Sequence, residues 1–257
     1  MLKVLPMDAV IVLGTAGSGK TTFTQRYSSW LREKFAPMKS CEVNLDPGVI
    51  DLPYTPVYDI RDLVFVSELM KREGLGPNGA LVRATEIVLE NIDYVVSRIC
   101  DLPCDYLVID TPGQMEIFAF RPLGRILCDS LSSCMNLAAV FLGDYEPGRE
   151  VEDVISSALL AKILELRLGT TVIPLLNKSD LWEGESIDKV WEGILKDELE
   201  GITGKGVLSE VLLEISRAIS SFRSPVRVTP ISSRESIGFQ EVFDLLNEVW
   251  CSCGDMT

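Results

Sequence analysis

The chain has 257 residues, 47% of them hydrophobic, so it can bury the core of an α/β domain, and we predict one domain over residues 1–257. Its 38 acidic residues outnumber 24 basic ones, and the net charge of -14 disfavours nonspecific binding to nucleic acid or to an anionic membrane. The absence of histidine excludes an imidazole base and a histidine-rich metal store.

The N-terminal segment lacks the basic region followed by a long apolar region that is typical of a secretion signal. No apolar stretch of the sequence reaches the ~18 residues that a membrane-spanning helix needs. We therefore expect a cytoplasmic protein without a membrane partner.

The first predicted strand, residues 10–13, runs into GTAGSGKT and then into an amphipathic helical pattern. This order of strand, loop and helix is that of a phosphate-binding P-loop, and a plain glycine-rich turn is the weaker alternative. Backbone amides would face the phosphates, Lys20 would bridge the β and γ phosphates, and Thr21 would hold Mg²⁺. The expected nucleotide contacts are Gly14, Ala16, Gly17, Ser18, Gly19, Lys20, Thr21 and Thr22.

The second predicted strand, residues 42–45, ends in NLDPG, which places Asp46 where it could face Mg²⁺ or the attacking water. An Asp-Pro-Gly sequence is more often a turn, so this signal is weak alone. Residues 47–80 form a long connection rich in Pro and Gly, with a short helix expected after Asp59. Connections of this length are often functional.

A helical pattern over residues 81–99 precedes the third predicted strand, residues 106–109, which ends in DTPGQ. Asp110 is expected to hold Mg²⁺ through a water, and the amide of Gly113 to meet the γ-phosphate. The alternative is that Asp110 caps the next helix. Because a helical crossover separates the second and third strands, a hairpin between them is impossible and a parallel sheet is favoured.

Predicted strands at residues 137–142 and 171–176 follow, and the second of them ends in NKSD. In this pattern Asp180 would accept hydrogen bonds from the N1 and N2 donors of guanine, whereas adenine offers no such pair. A site that requires a donor can reject its absence by ~10⁴ or more. Asn177 and Lys178 complete the predicted guanine-recognition motif.

Residues 182–222 are charged and helical in pattern, and are interpreted as an inserted helical lid. After them, a predicted strand at residues 226–231 ends in Ser232, Ser233 and Arg234, which would touch the base. A helix over residues 239–250 closes the pattern. The predicted fold is a three-layer α/β sandwich with a mainly parallel central sheet, that of a P-loop NTPase, and a helical insertion.

The ordered set GTAGSGKT, NLDPG, GPN, DTPGQME, NKSD and SSR resembles the GPN-loop GTPases, over nearly the whole chain and in the form found in archaea. Their most specific element is the tripeptide Gly76, Pro77 and Asn78, which alone is typical only of a turn. The resemblance implies that the chain is a GTPase of the SIMIBI class, which agrees with the expected parallel sheet. It also implies GTP as the substrate and GDP as the product.

The resemblance also implies a homodimer in which Asn78 of each subunit acts near the γ-phosphate of its partner's nucleotide. In it, Asp46, Gln114 and Glu116 orient or activate water, although the last two could equally belong to the first turn of a helix. Eukaryotic relatives are linked to RNA polymerase assembly, so a client protein, with polymerase subunits as one possibility, is expected as partner.

Seven cysteines are scattered through a chain too large to depend on covalent cross-links, and we expect reduced thiols. Cys251 and Cys253 form a Cys-x-Cys pair, but two thiolates without further ligands make a weak metal site. No structural metal is predicted.

The sequence predicts in-line attack of water on GTP, helped by Lys20, by Mg²⁺ and by backbone amides. Three other interpretations stay open. A P-loop kinase of a small acceptor is disfavoured by NKSD, and a metal-delivery chaperone GTPase of the same class by the absence of histidine. In the third, bound GTP merely stabilises an assembly factor.

Overall fold

A seven-stranded sheet organises the computed structural model, which describes residues 7–144, 150–182, 189, 207–220 and 228–252. The strands are β1 (Met7–Gly14), β2 (Ser40–Asn44), β3 (Tyr58–Asp59), β4 (Tyr106–Asp110), β5 (Met135–Gly143), β6 (Val172–Leu176) and β7 (Thr229–Pro230). Their order is β3-β2-β4-β1-β5-β6-β7, and all the pairings are parallel. The predicted parallel sheet is confirmed, and β2 lies beside β4.

Two strands differ from the prediction. The edge strand β3 was not predicted, because its two residues, paired at Val43↔Tyr58 and Asn44↔Asp59, are too few to give a periodic pattern. The last strand was predicted over residues 226–231, whereas β7 has only two residues and residues 221–227 lie outside the described part of the chain.

Helices cover both faces of the sheet. They are α1 (Lys20–Lys34), α2 (Val66–Glu73), α3 (Pro77–Glu90), α4 (Ile92–Cys100), α5 (Met115–Ala119), α6 (Pro122–Leu131), α7 (Glu150–Leu168), α8 (Val207–Ser220) and α9 (Phe239–Ser252). Short 3-10 turns occur at Ile60–Asp62 and Ser179–Leu181. Within the described ranges, no helix is both long and apolar enough to cross a membrane.

The helix predicted over residues 81–99 is two helices, because the chain breaks at Asn91 between α3 and α4. Asn91 leaves the helical region at φ -117° and ψ 22°, and its side-chain amide donates to the carbonyl of Ile87 at 2.8 Å. Asparagine side chains compete in this way with helical backbone hydrogen bonds. The short helix expected after Asp59 begins as a 3-10 turn, and α2 starts only at Val66.

The central strand β1 shows why the sheet needs two helical layers. Ala9, Ile11 and Leu13 point to one face, where they pack in a core formed with α2 to α7. Val10 and Val12 point to the other face and pack against α1 and α9. Alternate residues of a strand face opposite sides, so a strand buried on both sides must be apolar throughout.

An aromatic cluster joins α9 to α1. The ring of Phe239 meets Phe23 edge-on at 5.6 Å and Tyr27 at 5.3 Å between centroids. Trp30 of α1 likewise meets Phe243 of α9 at 6.2 Å. Edge-to-face pairs contribute about 0.5–1.5 kcal/mol each beyond their buried area. The C-terminal helix therefore fixes the position of α1, whose first residue is Lys20.

Most of the predicted helical insertion, residues 183–188 and 190–206, lies outside the described residues. Its later part is α8, which packs against α7. Leu212 and Ile219 of α8 are buried together with Val154 and Ala158 of α7. This helix is thus attached to the body of the protein through an apolar face.

The expectation of reduced thiols is wrong for four cysteines. Disulfides join Cys41 to Cys104 and Cys100 to Cys134, with Cα atoms 6.2 and 6.1 Å apart. The partners are 63 and 34 residues apart in sequence, and only the parallel sheet brings them together. Among the described residues Cys128 and Cys251 are free, and Cys253 lies outside them.

Candidate nucleotide site

The predicted site residues lie at the carboxyl edge of the sheet. Gly14 ends β1 and Asp110 ends β4, while Asp46, Asn177 and Ser232 follow β2, β6 and β7 within two residues. The chain leaves β1 toward β2 on one side, whereas β5 lies on the other side of β1. Ligands of open parallel sheets bind where the strand order reverses in this way.

The P-loop curls between β1 and α1 with glycines in left-handed conformations. Gly19, the residue before α1, has φ +94°, and Gly17 has φ +83°. A Cβ atom on Gly19 would lie 2.5 Å from the side-chain nitrogen of Asn177. Glycine at this position is thus required both by the backbone and by the close approach of the predicted base-reading segment.

Lys20 is buried at the start of α1 and spans the P-loop. Its Nζ donates to the carbonyls of Gly14 and Thr15, each at 2.9 Å. Burial lowers the pKa of Lys20, and the carboxylates of Asp110, Asp46 and Glu116 act in the opposite direction. Three of the predicted acidic site residues are therefore close enough to influence this lysine.

Asp110 is 1% exposed at the end of β4. Its Oδ2 accepts a hydrogen bond from the hydroxyl of Tyr54 at 3.0 Å, and Thr21 of α1 lies beside this carboxylate. Within the described residues, the buried Oδ1 has no hydrogen-bond partner. Burial raises the pKa of Asp110 to about 6, with Thr21, Tyr54 and Lys20 lowering it by less.

Asp46 closes a turn after β2 and contacts the DTPGQ segment. Its Oδ1 accepts the amide of Gly48 at 2.8 Å, and its Oδ2 accepts the amide of Gly113 at 3.2 Å. Burial raises the pKa of Asp46, and these backbone hydrogen bonds together with Lys20 lower it by less. Asp46 therefore forms the turn that Asp-Pro-Gly predicts and also contacts the DTPGQ segment, so the two interpretations of this residue are compatible.

The GPN tripeptide begins a helix. Gly76 precedes α3 and Pro77 is its first residue. Gly76, Pro77 and Asn78 are all exposed. Proline favours the first helical position because its missing N–H would be unsatisfied there anyway. Gln114, which immediately precedes α5, donates from Nε2 to Asn78 Oδ1 of the same chain at 3.2 Å. Glu116 lies exposed in the first turn of α5.

The NKSD and SSR segments form a cavity with the P-loop. Its volume is about 310 Å³. The lining residues are Gly17, Gly19, Thr22, Asn177, Lys178, Asp180, Leu181, Ser233 and Arg234. Of the other predicted contacts, Ala16 is exposed in the P-loop, Ser18 is buried beneath it, and Ser232 contacts Asp180.

Asn177 connects the three segments of this cavity. Its side-chain nitrogen donates to the carbonyl of Ser18 at 2.7 Å, and its Oδ1 accepts from the backbone and hydroxyl of Ser233, both at 2.9 Å. Lys178 adopts a left-handed conformation, and its Nζ pairs with Asp144 at 2.7 Å. Asp180 is exposed, and one of its oxygens accepts the hydroxyl of Ser232 at 2.6 Å.

Several residues in or beside the site were not predicted. Tyr54 contacts Asp110 from a segment that gave only a proline-rich pattern. Thr111 donates to the carbonyl of Val12 at 2.6 Å and so ties the DTPGQ segment to β1. Asp59 and Arg61 hold the loop that follows Asp46, and the pattern Asp-x-Arg was the available signal for them.

Comparisons with known proteins agree with this geometry. A family profile described as "Conserved hypothetical ATP binding protein" matches residues 12–252. GPN-loop GTPase PAB0955 from Pyrococcus abyssi is 35% identical over 255 residues, which are 96% of this chain and 99% of that protein. Its crystal structure, described as a GTPase in apo form, is similar with a TM-score of 0.82 and 34% identity, covering 96% of this chain and 98% of that one.

Eukaryotic relatives are longer than this chain. GPN-loop GTPase 1 of Schizosaccharomyces pombe is 32% identical over 222 residues, which are 82% of this chain but 59% of the relative. The identity to PAB0955 and the match of the family profile nevertheless extend over nearly the whole sequence. The chain therefore belongs to the GPN-loop GTPases.

Proposed function

We propose that this chain binds GTP with its phosphates on the P-loop and its guanine in the 310 Å³ cavity, and hydrolyses it to GDP and phosphate with Mg²⁺. The observation that carries the proposal is the position of Asn177. This residue bonds to Ser18 of the P-loop and to Ser233 of the last motif, so a nucleotide bound to the P-loop would have its base beside Asp180.

Guanine is favoured over adenine by the chemistry of Asp180, although the matching family profile is described as ATP-binding. A carboxylate can accept the two N–H donors that guanine presents together, and adenine would leave it unpaired. The hydroxyl of Ser232 already bonds to one carboxylate oxygen and holds the side chain in place. The names of the relatives as GTPases support the same choice.

Thr21 and Asp110 suit a magnesium site. Mg²⁺ prefers hydroxyl, carboxylate and water oxygens, and Asp110 keeps one buried oxygen without a partner among the described residues. Thr21 would hold the ion directly, Asp110 through a water, and Asp46 lies beside them. The bound ion would supply positive charge to the phosphate oxygens as negative charge develops on them.

Binding of GTP in this arrangement requires three hydrogen bonds of the site to be exchanged before the reaction begins. Lys20 would give up the carbonyls of Gly14 and Thr15 for phosphate oxygens. The amide of Gly113, which now donates to Asp46, would turn to the γ-phosphate. Asp46 is then free to orient the attacking water. Positioned donors of this kind stabilise the transition state without having to reorganise during the reaction.

Gln114 and Glu116 complete the proposed arrangement for water, because both lie where α5 begins beside Gly113. Glu116 is near enough to Lys20 to raise its pKa against the effect of burial. In this proposal Lys20 stabilises charge on the phosphates, and the carboxylates and the amide of Gln114 hold the water. The absence of histidine from the chain leaves these groups to do so.

We further propose a cytoplasmic homodimer of the SIMIBI class, in which the exposed tripeptide 76–78 reaches the partner's nucleotide and Asn78 contacts the γ-phosphate region. Its exposure at the start of α3 supports a contact with another chain. Hydrolysis would then change the segments after Asp46 and Asp110 and switch a surface for a client protein. Polymerase subunits are the clients that the analogy with the eukaryotic relatives suggests.

The base preference provides the experiment. Binding and phosphate release are measured with GTP, ATP and XTP for the wild type, for Asp180→Asn and for Asp129→Asn, which removes the same charge from the exposed surface of α6. We expect Asp180→Asn to lose about a hundredfold or more in GTP affinity, and to prefer XTP. Asp129→Asn should behave as the wild type. An Asp180→Asn variant that still prefers GTP would contradict the proposed base site.

A further inference from the structure

Tyr54 lies in this site although no sequence motif indicated it. It belongs to the irregular segment 47–57 between β2 and β3, and its hydroxyl donates to Asp110 Oδ2 at 3.0 Å. The two residues are 56 positions apart in sequence. We therefore ask what Tyr54 does for Asp110, the proposed magnesium-binding carboxylate.

The segment that carries Tyr54 is fixed on both sides of it. Gln25 of α1 donates from its side chain to the carbonyl of Pro53 at 2.7 Å. The amide of Val57 donates to the carbonyl of Glu42 in β2 at 2.9 Å. The phenol of Tyr54 is therefore held against Asp110 by contacts with α1, which begins at the P-loop, and with β2, which leads to Asp46.

The two oxygens of Asp110 differ in their surroundings. Oδ2 accepts the phenol of Tyr54, whereas Oδ1 is buried without a hydrogen-bond partner among the described residues. From this asymmetry we infer that Tyr54 is a positioning residue for Asp110. It fixes the rotation of the carboxylate and leaves Oδ1 for the water of the magnesium ion. This role rests on the proposed function, in which Asp110 holds that ion.

The chemistry of a phenol suits this role. A hydroxyl orients a carboxylate by donating one hydrogen bond and adds no charge of its own. A lysine or arginine at the same place would orient Asp110 as well, but its positive charge would oppose the binding of a cation beside it. Groups that orient the ligands of a metal without touching it commonly change metal affinity 10- to 100-fold when they are removed.

The test compares Tyr54→Phe with the wild type and with Tyr94→Phe, which removes an exposed phenol from α4. Binding of a fluorescent GDP is titrated with Mg²⁺ and repeated in EDTA. We expect Tyr54→Phe to need about 10- to 100-fold more Mg²⁺ for half-maximal binding. Its GDP affinity in EDTA should equal that of the wild type, because only the metal-dependent part of binding uses Asp110.

Gln25→Ala gives a second variant, since it releases Pro53 but keeps the phenol. It should move the Mg²⁺ titration in the same direction by a smaller factor. Identical Mg²⁺ curves for wild type and both variants overturn the inference, and so does a Tyr54→Phe protein that loses equal affinity with and without Mg²⁺, because that loss is structural. A wild type whose GDP binding ignores Mg²⁺ overturns instead the proposed metal site.

Discussion

At the scale of single residues, burial sets the charge balance of the site. Desolvation raises the pKa of Asp46 and Asp110 and lowers that of Lys20, so burial alone disfavours the charged form of all three. The attraction between Lys20 and each carboxylate acts in the opposite direction, whereas the charge of Asp46 raises the pKa of Asp110 further. The three groups therefore depend on one another for their charge, and we expect removal of any one of them to change the protonation of the other two.

Asp8 of β1 shows the same effect of burial without any part in the proposed chemistry. Burial raises its pKa above the usual value of 3.8, and the amide of Asn136, which donates to its Oδ1 at 2.8 Å, lowers it by less. The folded protein thus binds this proton more tightly than the unfolded chain does. Stability from this group is complete below the unfolded pKa and is lost as pH rises through the folded pKa.

Asp8→Asn should therefore become more stabilising, relative to the wild type, as the pH rises. The asparagine keeps an acceptor for Asn136 and carries no charge at any pH. Melting temperatures of wild type, Asp8→Asn and the exposed control Asp51→Asn are compared from about pH 4 to about pH 8. The neighbouring Asp105 and Tyr106 are present in all three proteins. A difference that shrinks as pH rises would contradict the assigned direction of the shift.

Sequence patterns could place those site residues that follow a strand directly, because parallel strands bring their carboxyl ends together. Gly14, Asp110 and Asn177 lie where that rule puts them. Tyr54 could not be placed, because its contact with Asp110 depends on how an irregular segment folds back over the sheet. Nor does any local pattern indicate that Gln114 would contact Asn78 of the same chain.

At the scale of elements, the loop after β2 is held by a polar network at the sheet edge. Asn44 donates to Asp59 Oδ1 at 2.9 Å and accepts the amide of Asp46 at 3.0 Å. The guanidinium of Arg61 donates hydrogen bonds to both carboxylate oxygens of Asp59. It also donates to the carbonyls of Val49 and Ile50, at 3.2 and 2.9 Å. One arginine thus connects the strand β3 to the loop on which Asp46 depends.

Arg61→Ala and Arg61→Lys should both slow hydrolysis by about ten- to a hundredfold, because small displacements of a positioned group have effects of this size. Lysine keeps the charge but lacks the planar fork that reaches four acceptors, so it should not restore the rate. GDP affinity should stay near that of the wild type, since the P-loop and Asp180 are untouched. The measurements are single-turnover rates and GDP binding.

Arg72→Ala is the matched control, because Arg72 is a largely exposed arginine of α2 whose pair with Glu73 is at the surface. It should leave the rate unchanged. Arg61→Ala with a lower melting temperature but a normal rate would mean that the network only stabilises the fold. Full rescue by Arg61→Lys would mean that charge, and not geometry, is what the loop requires.

The elements themselves were predictable to the extent that their patterns are long. β1 and β5 have eight and nine residues, most of them apolar and alternating between two cores, and that pattern is visible in the sequence. The break at Asn91 interrupts a periodicity that continues across it, and β3 is too short to have one. The disulfides depend on spatial neighbours, which no spacing of cysteines reveals.

At the scale of the whole molecule, one crossover connects the carboxyl edge of the sheet with its amino edge. The segment from β3 to β4 carries the exposed GPN tripeptide at the start of α3, where Asn78 contacts Gln114 of the segment that follows the carboxyl end of β4. At its other end, Cys100 and Cys104 are joined to Cys134 and Cys41, beside the amino ends of β5 and β2. The tripeptide therefore sits on a helix pair that is covalently anchored far from the nucleotide site.

This anchoring suits a tripeptide that must be presented in a fixed position, and two destinations for Asn78 can be distinguished. The contact of Asn78 with Gln114 of its own chain favours action within one subunit. The exposure of the tripeptide favours action on the nucleotide of a partner, as in the proposed homodimer. Mixing two inactive variants separates these possibilities, because they damage different sites in a hybrid dimer.

Lys20→Ala destroys a subunit's own nucleotide site but keeps its tripeptide, and Asn78→Ala does the reverse. If Asn78 acts on the partner, each hybrid contains one complete site, and subunit exchange should restore about a quarter of the wild-type rate, since half of the dimers are hybrids. Asn78→Ala mixed with the Lys20→Ala, Asn78→Ala double variant is the control and should restore nothing. If mixing the two single variants also restores nothing although hybrids form, Asn78 serves its own subunit, and the contact with Gln114 is the functional one.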